Sequence, residues 1–423
     1  MLILLFAGNL VAGNGKPIRE LLEEHLPGIT IRKLEPRDHF SAEFEIMLTQ
    51  PLDHSNPAAG SFQQLIYLSH CDQKLPVILE TEGYWANRYT RELTKILRAN
   101  QIVVEYRFYG RSVPDSLIWK YLCSDQANED LHRIVTLFGK IYRGKWVSTG
   151  VSKGGEATMI FRSTYPDDVD VSVAYVAPLN LEQEDGRCDE HILRSGDENC
   201  RNKLFNFQRM VLENRDSILQ YLDEYSKEKG YKYSIGMADA LEYATLEFTF
   251  SFWQWGGECG DVPVSGTSCR RMFDYLEDIV GFFLYSDEGI RKFEPSFYQH
   301  MSELGYYGFI TSHLQDLLVA VPEPSNMQFA PQDARIQYNP KYMRRVREYL
   351  DREGDRFVYI YGSLDTWTST GYVPSPLCDA IRCDLPGGDH STRIADFPAE
   401  KQKEIYDCLR RWLRVEIYPL QKL

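Results

Sequence analysis

Lys145-Trp146-Val147-Ser148-Thr149-Gly150-Val151-Ser152-Lys153-Gly154-Gly155 is the stretch on which the reading of this chain turns. It opens with KWVST, a short run of β-branched and aromatic residues of the kind that forms a strand. It passes through a G-x-S-x-G motif, Gly150 to Gly154, into a helical pattern over 154–164. A serine between a strand and a helix sits on a sharp, strained turn that exposes its hydroxyl, and glycines leave room around it. Ser152 is therefore the candidate nucleophile.

Working outward, runs at 44–48 and 63–68 alternate apolar and polar residues, and the turn-rich segment 53–60 between them predicts a hairpin. Strands follow at 76–79 and 102–106, with helices at 91–99 and 127–141; beyond the motif lies a strand at 171–177. Alternating strands and helices predict an α/β fold with a mainly parallel sheet covered on both faces. From 181 to 344 the alternation stops. This stretch is polar, aromatic and helical in pattern, with helices expected over 213–229, 237–255, 271–284 and 309–318. Strands resume at 357–361 and 380–385, and a helix over 399–415 closes the chain. The simplest division makes 1–180 and 345–423 one catalytic domain, with 181–344 a large, mainly helical cap inserted after the strand that follows the nucleophile helix.

Composition narrows the function. The 423 residues carry 47 Lys plus Arg against 61 Asp plus Glu, a net charge of -14. No basic excess exists to drive nucleic-acid binding through counterion release. A 43% hydrophobic and 26% charged composition is that of a folded globular chain. The nine cysteines include no CxxC pair, and carboxylates and histidines do not cluster at ligand spacing, so neither a metal nor an organic cofactor is expected.

A serine hydroxyl needs a general base, and the base needs an orienting carboxylate. In strand-turn-helix nucleophile sites these follow the serine in the order acid, then histidine. His390, in Gly387-Gly388-Asp389-His390-Ser391, is the one histidine beyond the last expected strand. Asp365 stands just past the strand at 357–361, where catalytic groups of parallel sheets gather; Asp379 and Asp384 compete with it. The tetrahedral intermediate needs two N–H donors. One is expected from the backbone of Lys153, the other from the loop after 76–79, at Gly83 or Tyr84.

Together these motifs resemble the exported serine peptidases of the prolyl tripeptidyl aminopeptidase type and, more distantly, the lysosomal Pro-X carboxypeptidase and dipeptidyl peptidase II group. Gln50-Pro51-Leu52-Asp53-His54 with Asn56-Pro57 is similar to that group's "QPLDH…NP" signature. Glu105-Tyr106-Arg107-Phe108-Tyr109-Gly110-Arg111-Ser112 is similar to its "EHRYYGxS", with Tyr106 for the usual His and Phe108 for Tyr. Residues 149–155, Tyr165-Pro166-Asp167-Asp168-Val169-Asp170 and Asp365-Thr366-Trp367 resemble its nucleophile, "YPDDVD" and "DPW" motifs, the last with Thr for Pro. The resemblance implies an α/β-hydrolase with a helical cap, and release of short peptides, often tripeptides, from free N-termini with proline near the cleaved bond. Its partners would be oligopeptide substrates. A carboxylic-ester hydrolase with the same residues, or a non-catalytic binding protein on this scaffold, are the alternatives.

An enzyme that releases fixed-length fragments must measure from the substrate's α-amino group, which is cationic near neutral pH. A buried carboxylate is the expected partner, Glu82 beside the oxyanion loop or Glu258 in the cap. Trp253 and Trp255, in Phe252-Trp253-Gln254-Trp255, could wall a site for a proline ring.

Residues 1–12, MLILLFAGNLVA, are too short to span a bilayer and resemble the apolar core of a secretory signal, without its basic leading segment. No other segment is long and apolar enough for an integral membrane span. Cysteines close in sequence, 188 with 200, 259 with 269 and 378 with 383, are candidate disulfides in an exported protein. Cys259–Cys269 is the pair most expected to be bridged. Secretion or a periplasmic location is the expectation.

Overall fold

The computed structural model describes residues 16–420; the apolar run at 1–12 lies outside them. Within these residues one sheet holds nine strands: β1 (Ile29–Leu34), β2 (Ala42–Pro51), β3 (Ser61–His70), β4 (Val77–Thr81), β5 (Asn100–Val104), β6 (Trp146–Val151), β7 (Val171–Tyr175), β8 (Phe357–Gly362) and β9 (Ile381–Leu385). Their spatial order is β1-β2-β3-β5-β4-β6-β7-β8-β9. The pairs β1–β2, β2–β3 and β3–β5 are antiparallel. From β5 across to β9 every pair is parallel. With the serine on the turn after β6, this is the α/β-hydrolase architecture.

The expected hairpin is β2–β3, and each strand runs longer than its apolar core. Buried polar residues extend the pairing without a hydrophobic signal: Gln50 donates to Gln64 at 2.9 Å, and Glu43 accepts from Arg37 and Arg88 at 3.0 and 2.9 Å. The edge strand β1, which sequence patterning did not reveal, carries Arg32 and Lys33 on largely exposed backbone. The central strands β4, β7 and β8 are buried throughout, as strands covered on both faces must be. Alternation decides which helix each side chain meets. Ile78, Val147, Val173 and Val358 pack with Leu409 and Trp412 of the closing helix Ala399–Leu413. Val77, Leu79 and Ile102 pack with Leu131, Phe138 and Phe161 on the opposite face.

Two of the family-like motifs meet in a buried ion cluster. Arg107, wholly buried, contacts Asp130 at 2.7 and 2.9 Å, and His54 Nε2 lies 2.7 Å from the same carboxylate. They tie the hairpin to the helix Ser124–Phe138. Their role is structural.

Between β7 and β8 the helices Glu198–Glu213, Arg215–Lys229, Met237–Gln254, Cys269–Ile279 and Asp287–Gln299 surround a second core that includes Phe207, Phe248, Phe273 and Leu276. The helix expected over 309–318 is a series of turns. Its backbone is claimed by neighbours: Arg209 takes the His313 carbonyl, Arg215 takes that of Leu317, and Glu242 accepts the N–H groups of Val319, Ala320 and Val321. The helix Tyr342–Glu353, which a domain boundary at 344 cuts, packs through Tyr342, Val346 and Leu350 with Met159 and Tyr359 of the sheet layer.

The disulfide is Cys200–Cys259, not the expected Cys259–Cys269. Their Cα atoms are 5.4 Å apart across 59 residues of chain. Lys203, one turn from Cys200, donates to the Cys259 carbonyl, so this loop lies against the helix Glu198–Glu213. Cys269 begins another helix and turns its sulfur towards Asn214. The other near pairs are not bridged to each other either: Cys188 meets Ser369, Cys378 meets the Leu350 carbonyl, and Cys383 points into the core beneath the closing helix. Among the described residues no helix is long and apolar enough to cross a membrane, and no group of three or more His, Cys, Asp or Glu is placed to hold a metal.

Candidate active site

Ser152 follows β6 directly and caps the helix Lys153–Thr164 with φ 57° and ψ -126°. Side chains avoid positive φ, so the turn stores strain that its surroundings must hold. They do: Ser152 N–H donates to the Tyr175 carbonyl of β7 at 2.9 Å, and Ser152 O accepts from Glu156 N at 2.9 Å. Gly150 is required by space, because a Cβ there would fall 2.2 Å from the Gly154 backbone. Strand, strained serine and helix are thus locked as one piece.

His390 and Asp365 arrive from the ends of β9 and β8. His390 Nδ1–H donates to Asp365 Oδ2 at 2.8 Å, with the acid wholly buried and the imidazole 6% exposed. Asp365 also accepts from Trp367 N–H at 3.2 Å. The competing acids lie elsewhere: Asp379 holds Arg411 and Trp412, and Asp384 holds Arg382. The cap reaches down to fix the histidine, since His390 N–H donates to the Gln254 carbonyl at 2.9 Å. Thr366 donates to the Phe250 carbonyl of the same cap helix.

Gly83 and Tyr84 follow β4, and Gly83 lies against Lys153, where a Cβ would be 2.7 Å from its backbone and stem. Tyr84, Ser152 and His390 line one cavity of about 540 Å³. That volume suits a small-molecule or short-peptide site. Its walls are aromatic: Trp85 and Phe293 on one side, Phe250, Tyr306 and Trp367 on another, with Phe329 further in. Trp255 stands at the rim, 57% exposed, its ring edge-on to His390 with centroids 5.5 Å apart. Trp253, by contrast, is buried against Phe252 and Gly196 and does not line the cavity.

Neither expected amine partner faces this space. Glu82 turns away to pair with Arg91, and Glu258 is exposed outside the cavity. The carboxylate in the wall is Glu247, on the cap helix Met237–Gln254. It accepts from Ser251 Oγ at 2.8 Å and from the Tyr307 hydroxyl, and among the described residues no Lys, Arg or His pairs with it. Burial without a counter-charge pushes its carboxyl up to about 7. Sequence patterning hid it: LEYATLEFTF reads as one more amphipathic helix, and only the fold shows which face of that helix meets the cavity.

A family model described as PS-10 peptidase S37 matches residues 18–416. Over 383 residues the chain is 32% identical to the prolyl tri/tetrapeptidyl aminopeptidase of Streptomyces mobaraensis, covering 88% of this chain and 80% of that one. It is 26% identical over 181 residues to a probable serine protease EDA2 of Arabidopsis thaliana, 37% of each chain. Among solved structures, the proline iminopeptidase of Mycobacterium smegmatis aligns with 87% of this chain and 97% of its own, at 14% identity and a TM-score of 0.41.

Proposed function

The chain belongs to the PS-10 peptidase S37 family and is a serine exopeptidase; from that premise we propose that it releases short fragments, tripeptides foremost, from the free N-termini of oligopeptides, with proline beside the cleaved bond. Ser152 Oγ attacks the scissile carbonyl while His390 Nε2 takes its proton, and Asp365 holds the imidazole tautomer and steadies the imidazolium. The N–H groups of Lys153 and Tyr84 receive the oxyanion. Collapse breaks the C–N bond and passes the proton from His390 to the departing amine. Water, deprotonated by the same imidazole, then attacks the acyl-enzyme; collapse frees the peptide acid and returns the proton to Ser152.

The observation that carries this reading is Glu247 in the wall of the serine's own cavity, buried and without a cationic partner. It replaces Glu82 and Glu258 as the proposed receptor for the substrate's α-ammonium. The cap helix sets the distance. Glu247 and Gln254 are seven residues apart on it, a rise of about 10 Å, and Gln254 is where that helix holds His390. Three extended residues span about 10–11 Å. That rise is of the same order as an extended tripeptide, which favours a three-residue fragment in this reading, and the aromatic walls, with Trp255 at the rim, suit a proline ring. The bridged pair Cys200–Cys259 supports export, to the periplasm or outside the cell.

Mass-spectrometric product mapping on one proline-containing peptide, free and N-acetylated, tests the proposal. Rapid release of an N-terminal tripeptide from the free form, and strongly slowed cleavage of the acetylated form, is the expected result. Equal cleavage of the two would mean an endopeptidase or an esterase-like site.

A further inference from the structure

Lysine is among the side chains least often buried completely, because desolvating an ammonium is costly unless its protons find acceptors. Lys153, next to the nucleophile, is only 3% exposed. Its Nζ donates to the Gly83 carbonyl and to Gln299 Oε1, each at 2.8 Å. It lies 4.0 Å from the centroid of the Tyr106 ring, with the Tyr84 and Tyr109 rings at 5.4 and 5.3 Å. Two buried carboxylates stand near it: Glu156 on its own helix, with both oxygens lacking partners among the described residues, and Glu303, which accepts from Ser124 and Gln299. The backbone N–H is enough for the oxyanion, so the side chain's burial calls for another purpose.

We propose that the Lys153 side chain is the positioning residue of the oxyanion hole, and that Gln299 makes its hold depend on a seated cap. The peptide unit is a rigid trans plane in which C=O and the following N–H point in opposite directions. By drawing the Gly83 carbonyl to itself, Lys153 turns the Tyr84 N–H the other way. That N–H makes no hydrogen bond within the described residues, and Tyr84 lines the cavity beside Ser152. The next carbonyl, of Tyr84 itself, is taken by Tyr106 N–H at 3.0 Å, so the loop is held from two sides. Without the lysine, the Gly83–Tyr84 plane is free to flip and present an oxygen where a donor is needed. Gln299 ends the cap helix Asp287–Gln299, whose Phe293, Ser296 and Phe297 line the same cavity. Its amide Nε2 donates to the Tyr106 hydroxyl and to Glu303 at 3.1 and 3.2 Å. Cap, lysine and oxyanion loop therefore form one continuous chain of hydrogen bonds.

This role presupposes Ser152 as the nucleophile, so Ser152→Ala is measured in parallel. The decisive variant is Lys153→Met, which keeps the stem that packs on Gly83 and removes the donor. With Ala-Ala-Pro-p-nitroanilide as substrate, kcat should fall about 10²-fold, as for loss of one oxyanion donor, with KM within about threefold. Affinity for the aldehyde Ala-Ala-prolinal, which forms a tetrahedral adduct on the serine, should fall in parallel. Affinity for the product tripeptide Ala-Ala-Pro should not. A lysine that only stabilises the fold would lower Tm and leave the aldehyde-to-product ratio unchanged, and that result overturns the proposal. If Lys153→Met does not fold, Gln299→Met reads the same split, expected at about 3–10-fold; a folded Gln299→Met with unchanged aldehyde affinity overturns it instead. Activity surviving in Ser152→Ala would strike at the nucleophile assignment and not at the lysine.

Discussion

The strand ends of the sheet and the wall of the cap treat their buried carboxylates in opposite ways. At the strand ends three acids are committed. Asp365 holds His390, Glu82 holds Arg91, and Glu105 accepts from the N–H groups of Ala86 and Arg111 and from the Ser112 hydroxyl. These acids fix loops and the imidazole. In the cap, Glu247 has hydroxyl donors and no cation, although it is equally removed from water. An acid that is satisfied within the protein builds geometry, and one left short of a counter-charge is ready to receive it from a substrate. The helix Met237–Gln254 joins the two regions, carrying Glu247 in its body and the carbonyl that pins His390 at its end.

That contrast can be broken most forcefully at the sheet. Ser152→Ala should lower turnover roughly 10⁶-fold, since triad residues act as a unit, while circular dichroism and Tm show an intact fold. Retention of more than about a thousandth of the wild-type rate would move the nucleophile elsewhere. Next in size, Asp365→Asn should cost roughly 10⁴ in kcat through the wrong imidazole tautomer. Asp379→Asn, whose carboxylate accepts from Arg411 and Trp412 away from the cavity, should leave kcat near wild type. The reverse ranking would break the division of labour among the acids.

At the cap the effects are smaller and depend on the substrate. Glu247→Gln should reduce kcat/KM for free-amine peptides about 10–150-fold, the loss of a charge-assisted contact of about 1.5–3 kcal/mol, and spare N-acetylated ones. The pH profile sharpens this. Below about 7 Glu247 takes up a proton and loses its hold on an ammonium, and above about 8 the substrate amine loses its charge. Wild-type kcat/KM on free-amine peptides should therefore peak between those values, and the alkaline fall should be missing for acetylated peptides. Stability runs the other way. The raised carboxyl favours the folded protein at low pH, and that contribution is lost as pH climbs from about 4.5 through 7. Glu247→Gln should remove this decline, which thermal melts at pH 5 and pH 8 would show.

The disulfide affects only the cap's stability. Closing 59 residues of chain is worth on the order of 4 kcal/mol in the loop-entropy picture. Cys200→Ser should lower Tm with little change in kcat, and Cys269→Ser should do neither. Alkylation without reduction, followed by mass mapping, should label Cys269 and leave Cys200 and Cys259 unlabelled; label on all three would remove the bridge.

Sequence alone determined the sheet domain and the placing of its chemical groups. Ser152, Asp365 and His390 each follow a parallel strand, and such a strand announces itself locally as a short apolar, β-branched or aromatic run with a glycine-marked end. The meeting of the Gly83–Tyr84 loop with Lys153 was legible for the same reason. Only the tertiary structure decided what required knowing who faces whom. The 309–318 segment forms turns in place of a helix where Arg209 and Arg215 take its carbonyls and Glu242 takes the N–H groups just beyond it, and none of the three is near it in sequence. Cys259 found Cys200 across the cap and not its neighbour Cys269. Glu82 and Glu247 are both glutamates close to the site, and the fold gave an arginine to one and a cavity to the other. Local pattern fixes a strand because a short apolar run bounded by turn residues is complete within a few positions of chain. A side chain's partner across a packed interface is set by the meeting of surfaces far apart in the chain, and no short-range period records it.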